Sequence, residues 1–216
     1  MWKVEPSGQY SVKYAYQALT ENIAAEDLDG ALKELWKLNL PSKIVSFAWR
    51  LLKDRLPTRE NLQRRQIQVH DPWCPFCRSA EESAGHLFFH CRMILLVWWE
   101  LLSWVNLVGV FPQNPRQHFL QHIHGTTEDM RVKRWKWWWL ALTQTIWKQR
   151  NTIIFSNGSF NANRILDDAV FLLWTWLSNL EKDFSIHYNH WSSNISVGFL
   201  NSEGLQMRIN MYSNFP

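Results

Sequence analysis

The three cysteines of the chain, Cys74, Cys77 and Cys91, combine with His86 in the pattern C-x2-C-x8-H-x4-C. Thiolate sulfur and imidazole nitrogen are the ligands that a tetrahedral zinc ion prefers, and a full set of four is typical of a structural site rather than a catalytic one. The pattern therefore predicts a zinc ion held by these four side chains, with no cysteine left over. Two buried thiols beside an ordinary core histidine are the alternative interpretation.

The residues next to the ligands predict a turn and then a helix. Pro75 and Phe76 form a tight turn that directs the first two sulfurs inward, as at the start of a zinc knuckle. A helix that begins near His86 would place His86 and Cys91 about one to one and a half turns apart, facing the same ion. His90 is the alternative ligand, but it directly precedes Cys91. Because adjacent ligands strain the chelate, His86 is favoured.

The positive charge of the chain is concentrated directly before the zinc motif. The whole chain carries a net charge of +4, and the segment 43–65 contains only two acidic residues, Asp54 and Glu60, among many basic ones. Clustered cations attract phosphate, although the solvated face of a helix would have a similar composition. The candidate nucleic-acid-binding residues are Lys43, Arg50, Lys53, Arg55, Arg59, Arg64 and Arg65. A second basic patch comprises Arg131, Lys133, Arg134 and Lys136.

The composition indicates a folded intracellular protein. Of the 216 residues, 46% are hydrophobic and 15 are tryptophan, which we attribute to core packing because a large indole fills a core. Cysteines that all bind a metal favour a reducing compartment, the nucleus or the cytoplasm or both. The apolar segment 93–111 has the length of a membrane span, but Glu100 at its centre would cost about 2–3 kcal/mol. We therefore predict a buried helix there and no membrane partner.

Apolar residues recur at helical spacing through most of the chain. Ser11 and Thr58 are the expected N-caps of two short helices, and Pro41 precedes a longer one. The longer predicted helices cover 42–53, 92–105, 131–155 and 163–180. Between them, the histidines at 118, 122 and 124 lack a thiol or carboxylate that would complete a metal site, so we expect them on a surface helix.

These patterns predict a mainly α fold class. A small zinc-stabilised helical domain is followed by a helical hairpin and a mobile C-terminal tail. The predicted divisions are the zinc domain at 2–110, a linker at 111–130, the Trp-rich helical hairpin at 131–183 and the tail at 184–216.

A longer series of residues surrounds the zinc motif. In chain order it comprises Trp2, 7–13, Tyr16, 36–37, 41–43, 47–50, 56–58, 61–62, 64–65, 74–77, Glu82, 86–89, Cys91 and Trp98. The series closely resembles the reverse-transcriptase zinc-binding domain at the C-terminal end of plant LINE-type (non-LTR) retrotransposon polyproteins, over about residues 2–105. The segment 146–155 is similar to the one that often follows that domain.

The resemblance implies a zinc ion bound by Cys74, Cys77, His86 and Cys91, and descent from an element that encodes a reverse transcriptase. The polymerase would lie N-terminal to this region, and the chain contains no Tyr-x-Asp-Asp sequence. We therefore expect a C-terminal piece without polymerase activity of its own.

Two classes of function follow as hypotheses. The first is a nucleic-acid-binding zinc module whose basic segment contacts the phosphates of RNA or DNA. The second is a structural or protein-interaction module that docks on a reverse transcriptase or another protein. A non-functional retroelement relic is a further alternative. An enzyme is the least favoured class, because a four-ligand zinc site has no open position for water and no nucleophile–base pair stands out.

Overall fold

The computed structural model describes residues 30–104, 109–121 and 129–195. Within these ranges the only strand-like pairing is an isolated antiparallel bridge between Trp73 and Glu81. The elements are α1 (Gly30–Trp36), α2 (Ser42–Leu52), α3 (Arg59–Arg64), a one-turn π-helix (His86–His90), α4 (Arg92–Trp104), α5 (Pro115–Leu120), α6 (Asp129–Ser156), α7 (Ala162–Leu180) and α8 (Tyr188–Ser193). The predicted mainly α fold is confirmed. The helix predicted after Ser11 lies outside the described residues.

The helices predicted at 42–53 and after Thr58 are both present, as α2 and α3. The apolar stripe of α2 is buried, as its helical spacing indicates. Thr58 caps α3, since its hydroxyl accepts a hydrogen bond from the backbone N–H of Asn61 (3.3 Å). The side-chain amide of Asn61 is buried and donates to the backbone carbonyls of Asp54 (2.9 Å) and Leu56 (3.0 Å). These bonds fix the turn between α2 and α3.

α6 is the central helix of the fold, because it is covered on several sides. Trp135, Trp137, Trp138 and Trp139 are each exposed by 1% or less. An amphipathic helix has one apolar face, so burial at successive positions requires neighbours in several directions. α7 packs along α6 as the second arm of the predicted hairpin, and α2 contacts another side. These four tryptophans therefore pack in the core, as predicted.

Side chains of α1, α2, the π-helix and α4 to α8 contribute to one hydrophobic core. The predicted linker supplies Phe119 of α5, which is fully buried, and the predicted hairpin supplies most of the buried tryptophans. The divisions at 110, 130 and 183 stay predictions, but the two predicted domains share this core.

His118 lies in the core and not on a surface helix, so that prediction is wrong. Its Nδ1 accepts a hydrogen bond from the indole N–H of Trp139 (2.9 Å), and its ring stacks on Phe89 with centroids 4.6 Å apart. Burial of an imidazole is tolerated when its nitrogen is hydrogen-bonded, and polarity alone therefore does not reveal its position. His122 and His124 lie outside the described residues.

Two residues of the second basic patch, Arg134 and Lys136, are buried. Arg134 is 3% exposed and pairs with Glu181 (2.7 Å), while Lys136 is 4% exposed and pairs with Glu34. Buried cations require such partners because an unpaired charge in a core is costly. The interpretation of these two residues as part of an accessible patch is therefore wrong.

The first part of the predicted mobile tail is folded. Phe184, Trp191 and Ile195 are buried, and the Phe184 and Trp191 rings meet edge to face at 5.4 Å. These apolar residues are too widely spaced to produce a helical period, yet each reaches the core. The rest of the tail, from 196 onward, lies outside the described residues.

The apolar segment after the zinc site forms α4, as predicted. Its Ile94, Val97, Trp98 and Leu101 side chains are buried against the core, while Glu100 is exposed. No helix in the described part of the chain combines the length and the hydropathy needed to cross a bilayer.

Candidate metal centre

The first two candidate ligands lie in a loop closed by backbone hydrogen bonds. The N–H of Cys74 donates to the carbonyl of Ala80 (2.7 Å), and the N–H of Arg78 donates to the carbonyl of Cys74 (3.0 Å). The Trp73–Glu81 bridge joins the two ends of this loop. Arg78 has a positive φ of 54°, which lets the chain reverse directly after Cys77. The loop is the knuckle that the sequence predicts.

The other two candidate ligands are joined by the π-helix. The N–H of Cys91 donates to the carbonyl of His86 (2.7 Å), a bond between residues five positions apart. This wider turn brings both side chains to the same side of the chain, and π-turns of this kind recur at functional sites. Ser83 Oγ accepts a hydrogen bond from the N–H of His86 (3.0 Å) and so fixes the start of the turn.

The four candidate ligands converge. Cys74 Sγ lies 3.9 Å from Cys91 Sγ, and Cys77 Sγ lies 3.2 Å from His86 Nε2. One ligand atom from each of the four residues lies within 4.8 Å of all the others. All three cysteines are buried and unbridged.

This geometry fits a tetrahedral zinc ion. With zinc–sulfur bonds of about 2.3 Å, two sulfurs of a tetrahedron lie about 3.8 Å apart, close to the separation of Cys74 and Cys91. A disulfide would need about 2.05 Å and is excluded for that pair. Three sulfurs and one imidazole nitrogen fill a structural zinc site, which would tie the knuckle to the π-helix and α4.

The side chains of the cluster also influence one another's protonation. The hydrogen bond with Cys91 and then burial raise the pKa of the Cys74 thiol to about 12. Hydrogen bonding to Cys74 is the main cause that raises the pKa of His86. Adjacent buried thiolates need a positive charge between them, which zinc provides when bound. Metal binding is therefore expected to release protons and to weaken as the pH falls.

His90 is excluded as the alternative ligand by its contacts. Its Nδ1 lies 3.1 Å from the carbonyl oxygen of Gly85, and its Nε2 lies 2.9 Å from the carbonyl oxygen of Phe111. Both ring nitrogens therefore face backbone acceptors away from the cluster. His90 connects the π-helix to the segment before α5.

A buried ion pair next to the metal centre was not predicted from the sequence. Glu82 is fully buried between the knuckle and the π-helix, and Arg150 of α6 pairs with it at 2.8 Å. Arg150 also donates to the carbonyl of Pro57 (3.3 Å), and its guanidinium lies 4.7 Å from the Trp147 ring centroid. Glu82 and Arg150 both occur in the segments that carry the family resemblance, but nothing in the sequence indicates that they meet.

Three of the seven candidate nucleic-acid-binding residues are engaged within the protein. Arg59 pairs with Asp71 (2.7 Å) and donates to the carbonyl of Trp73 (2.9 Å). Arg64 pairs with Asp54 (2.8 Å) and with Glu60. The third, Arg65, donates to the backbone carbonyl of Arg55 (3.0 Å). Because they already have partners within the protein, these three cations are less available to bind phosphate.

The remaining candidates differ in their surroundings. Lys43 and Arg50 are exposed on one side of α2, and no carboxylate of the described residues forms an ion pair with either. Arg55 is exposed and lies over the Trp49 ring (5.5 Å), whereas Lys53 is half-buried. Phosphate binding by any of the seven stays a prediction.

Arg59→Ala is expected to lower the free energy of unfolding by about 1.5–3 kcal/mol, since hydrogen bonds to charged groups contribute that much. Its side chain is 13% exposed and holds the chain directly before Cys74 through Asp71 and Trp73. Arg50→Ala, on the exposed side of α2, should change stability by no more than about 0.5 kcal/mol. Urea denaturation of the zinc-loaded variants compares the two. Equal losses would contradict the structural assignment of Arg59.

Comparison with known proteins agrees with this site. Residues 10–98 match the model of a family described as zinc-binding in reverse transcriptase. An Arabidopsis thaliana protein named "Putative ribonuclease H protein At1g65750" is 29% identical over 119 residues, which are 55% of this chain but only 18% of that protein. No solved structure matches the chain. The match over residues 10–98 contains all four candidate ligands but not Arg150. Over residues 10–98 the chain is therefore similar to the family described as zinc-binding in reverse transcriptase, in agreement with the predicted resemblance.

Proposed function

We propose that the chain is a zinc-stabilised nucleic-acid-binding module derived from the C-terminal end of a retrotransposon reverse transcriptase, of the LINE type that the sequence resembles, without polymerase activity of its own. The observation that carries the proposal is the position of Lys43 and Arg50. Both are exposed, without an acidic partner in the described ranges, and both line one cleft. The family match adds support, because a reverse transcriptase acts on nucleic acid.

The cleft lies between α2 and α6. Lys43 and Arg50 are seven positions apart on α2, so they lie on one face about two turns from each other. Lys148 of α6 lines the same cleft and forms an exposed pair with Asp168 (3.0 Å). Exposed pairs contribute little stability, so a phosphate could replace Asp168 at little cost.

In this proposal the zinc ion has a structural role. The candidate ligands leave no open coordination position for a substrate or an activated water. Through Arg59 and Asp71, the metal region also fixes the chain 67–71, which lines the cleft beside α2. We therefore assign binding to the cleft and propose no catalytic residue.

Binding to labelled RNA and DNA should weaken as the salt concentration rises. Each neutralised phosphate contributes about −0.7 to the slope of log K against log salt for a single strand. The double variant Lys43→Ala/Arg50→Ala should therefore reduce the slope by about 1.4 and weaken binding at low salt. Fluorescence anisotropy of the zinc-loaded chain measures both.

The control for that experiment is Arg164→Ala/Lys182→Ala, which removes the same charge from exposed positions outside the cleft. It should leave the slope within the error of the parent. Equal effects of the two double variants would mean that net charge acts without a defined site. No affinity for RNA or DNA, even at low salt, would contradict the proposed function.

Docking on a protein is the second candidate function, and one surface favours it. Leu96 and Trp99 are 59% and 57% exposed and lie three positions apart on the outer face of α4. Exposed apolar patches of this kind occur at protein interfaces. If Trp99→Ser reduces association with a reverse-transcriptase domain while RNA binding is unchanged, the interaction module would be supported.

A further inference from the structure

We infer that the cleft between α2 and α6 takes an unpaired nucleic-acid strand, and that the ring of Phe155 stacks on one of its bases. This inference rests on the proposed function and specifies its ligand and its contact residue. It adds a residue that the charge pattern of the sequence does not indicate.

Phe155 is unusually placed for a phenylalanine. It lies in the last turn of α6, lines the cleft, and is 76% exposed, the largest exposed fraction among the large apolar side chains described. No other aromatic ring of the described chain is paired with it. A ring in this position has an accessible face, and an unpaired base is a planar partner for such a face.

The remainder of the cleft supplies what a strand requires. Trp147 lies eight positions before Phe155, lines the same cleft and packs against Phe88 (6.2 Å). Lys43, Arg50 and Lys148 bring positive charge to the walls. Ile67, 50% exposed, provides apolar surface on the loop after α3. Cations beside an exposed ring match a phosphate chain with exposed bases.

The combination favours a single strand over a duplex. In a duplex the base faces are covered by their stacked neighbours, so a lone ring has little to contact and only phosphate binding remains. A small molecule is a poorer fit, because the cleft volume of about 1140 Å³ exceeds the roughly 300–1,000 Å³ of small-molecule pockets. An apolar protein segment would fit Phe155 and Ile67 but would not use the three cations.

The test compares single-stranded RNA, single-stranded DNA and duplex DNA of about 12 nucleotides, the length scale of known single-strand sites. Anisotropy is measured on the zinc-loaded full chain. Phe155→Ala should weaken binding of the single strands by about 5- to 150-fold, the loss typical of one base stack. It should leave the weaker duplex binding within about twofold, since phosphate contacts carry no stacking. The RNA and DNA arms identify which strand is preferred.

Two further variants separate stacking from general apolar contact. Phe155→Tyr retains the ring and should bind like the parent, whereas Phe155→Leu retains apolar area and should bind like Phe155→Ala. Phe171→Ala removes an exposed ring outside the cleft and should have no effect. Zinc content and circular dichroism confirm that each variant is folded, as expected for such an exposed position.

The outcomes distinguish this inference from the function on which it rests. If Lys43→Ala/Arg50→Ala weakens binding but Phe155→Ala does not, the strand assignment is overturned and the proposed function stands. Duplex binding as tight as single-strand binding would also overturn it. If Phe155→Ala instead abolishes association with a protein while single-strand binding persists, the occupant is a protein. No binding to any nucleic acid overturns both.

Discussion

Cys77→Ser and His86→Ala are each expected to abolish stoichiometric zinc binding and, with it, the cooperative fold of the chain around the metal centre. Apparent binding free energies of structural zinc are about 10–16 kcal/mol, comparable with the whole stability of a typical domain, about 5–15 kcal/mol. The four ligand atoms lie within 4.8 Å of one another and connect the knuckle, the π-helix and the start of α4. Metal analysis and thermal unfolding by circular dichroism measure the two effects.

His90→Ala is the matched control for that prediction. It lies one residue before Cys91 and removes the same chemical group, but its nitrogens face the carbonyls of Gly85 and Phe111. We expect one zinc ion per chain and a loss of only about 1–3 kcal/mol from the unpaired carbonyls. Full zinc content in His86→Ala, with loss in His90→Ala, would reverse the ligand assignment. Chelation of zinc from the parent chain should reproduce the effect of Cys77→Ser.

The metal centre could be predicted because its four candidate ligands lie close together in the sequence. All four ligands lie within 74–91, and zinc chemistry restricts the residue types and the spacing. The helices were predicted for a similar reason, since burial of one face produces a period that the sequence displays in α2 and α7. The Thr58 cap is also local, as its acceptor and donor are three positions apart.

Whether an individual charged side chain is buried in an ion pair or exposed could not be predicted, because this depends on partners that are distant in the sequence. Lys136 pairs with Glu34, which is 102 positions away, and Arg134 pairs with Glu181 across 47 positions. A count of basic residues in the sequence treats them as accessible cations, although both are buried and paired in the structure. The exposure of Phe155 was not predicted either, because an apolar residue at helical spacing is usually assigned to the core.

The extent of the folded unit also depends on a distant contact. The family match ends at residue 98, yet Glu82 within it is neutralised by Arg150 of α6, which is 68 positions away. Trp147 of the same helix packs on Phe88 of the π-helix. The candidate metal region is therefore packed against a helix outside the match, and we expect α6 to contribute to its stability.

Arg150→Met is expected to lower the free energy of unfolding by about 3–5 kcal/mol. The substitution leaves the fully buried Glu82 carboxylate with the hydrogen bond from the backbone N–H of Arg59 (3.3 Å) and the longer contact to the Arg59 guanidinium (3.6 Å). Lys148→Met is the matched control on the same helix. Its pair with Asp168 is exposed, and a change of about 0–1 kcal/mol is expected. Urea denaturation of the zinc-loaded proteins compares them.

The pH dependence identifies Glu82 as the source of that loss. Burial already raises the pKa of Glu82 in the parent, and the hydrogen bond from Arg150 opposes this. Without Arg150 the pKa should rise further, so the folded variant retains a proton that the unfolded chain releases. Stability of the variant relative to the parent must then fall as the pH rises through the folded pKa, and the deficit should be larger at pH 8 than at pH 5.

In Glu82→Gln/Arg150→Met this pH dependence should disappear and part of the stability should return, because no buried carboxylate remains. A deficit that is independent of pH in Arg150→Met would assign the loss to packing against Trp147 instead of the ion pair.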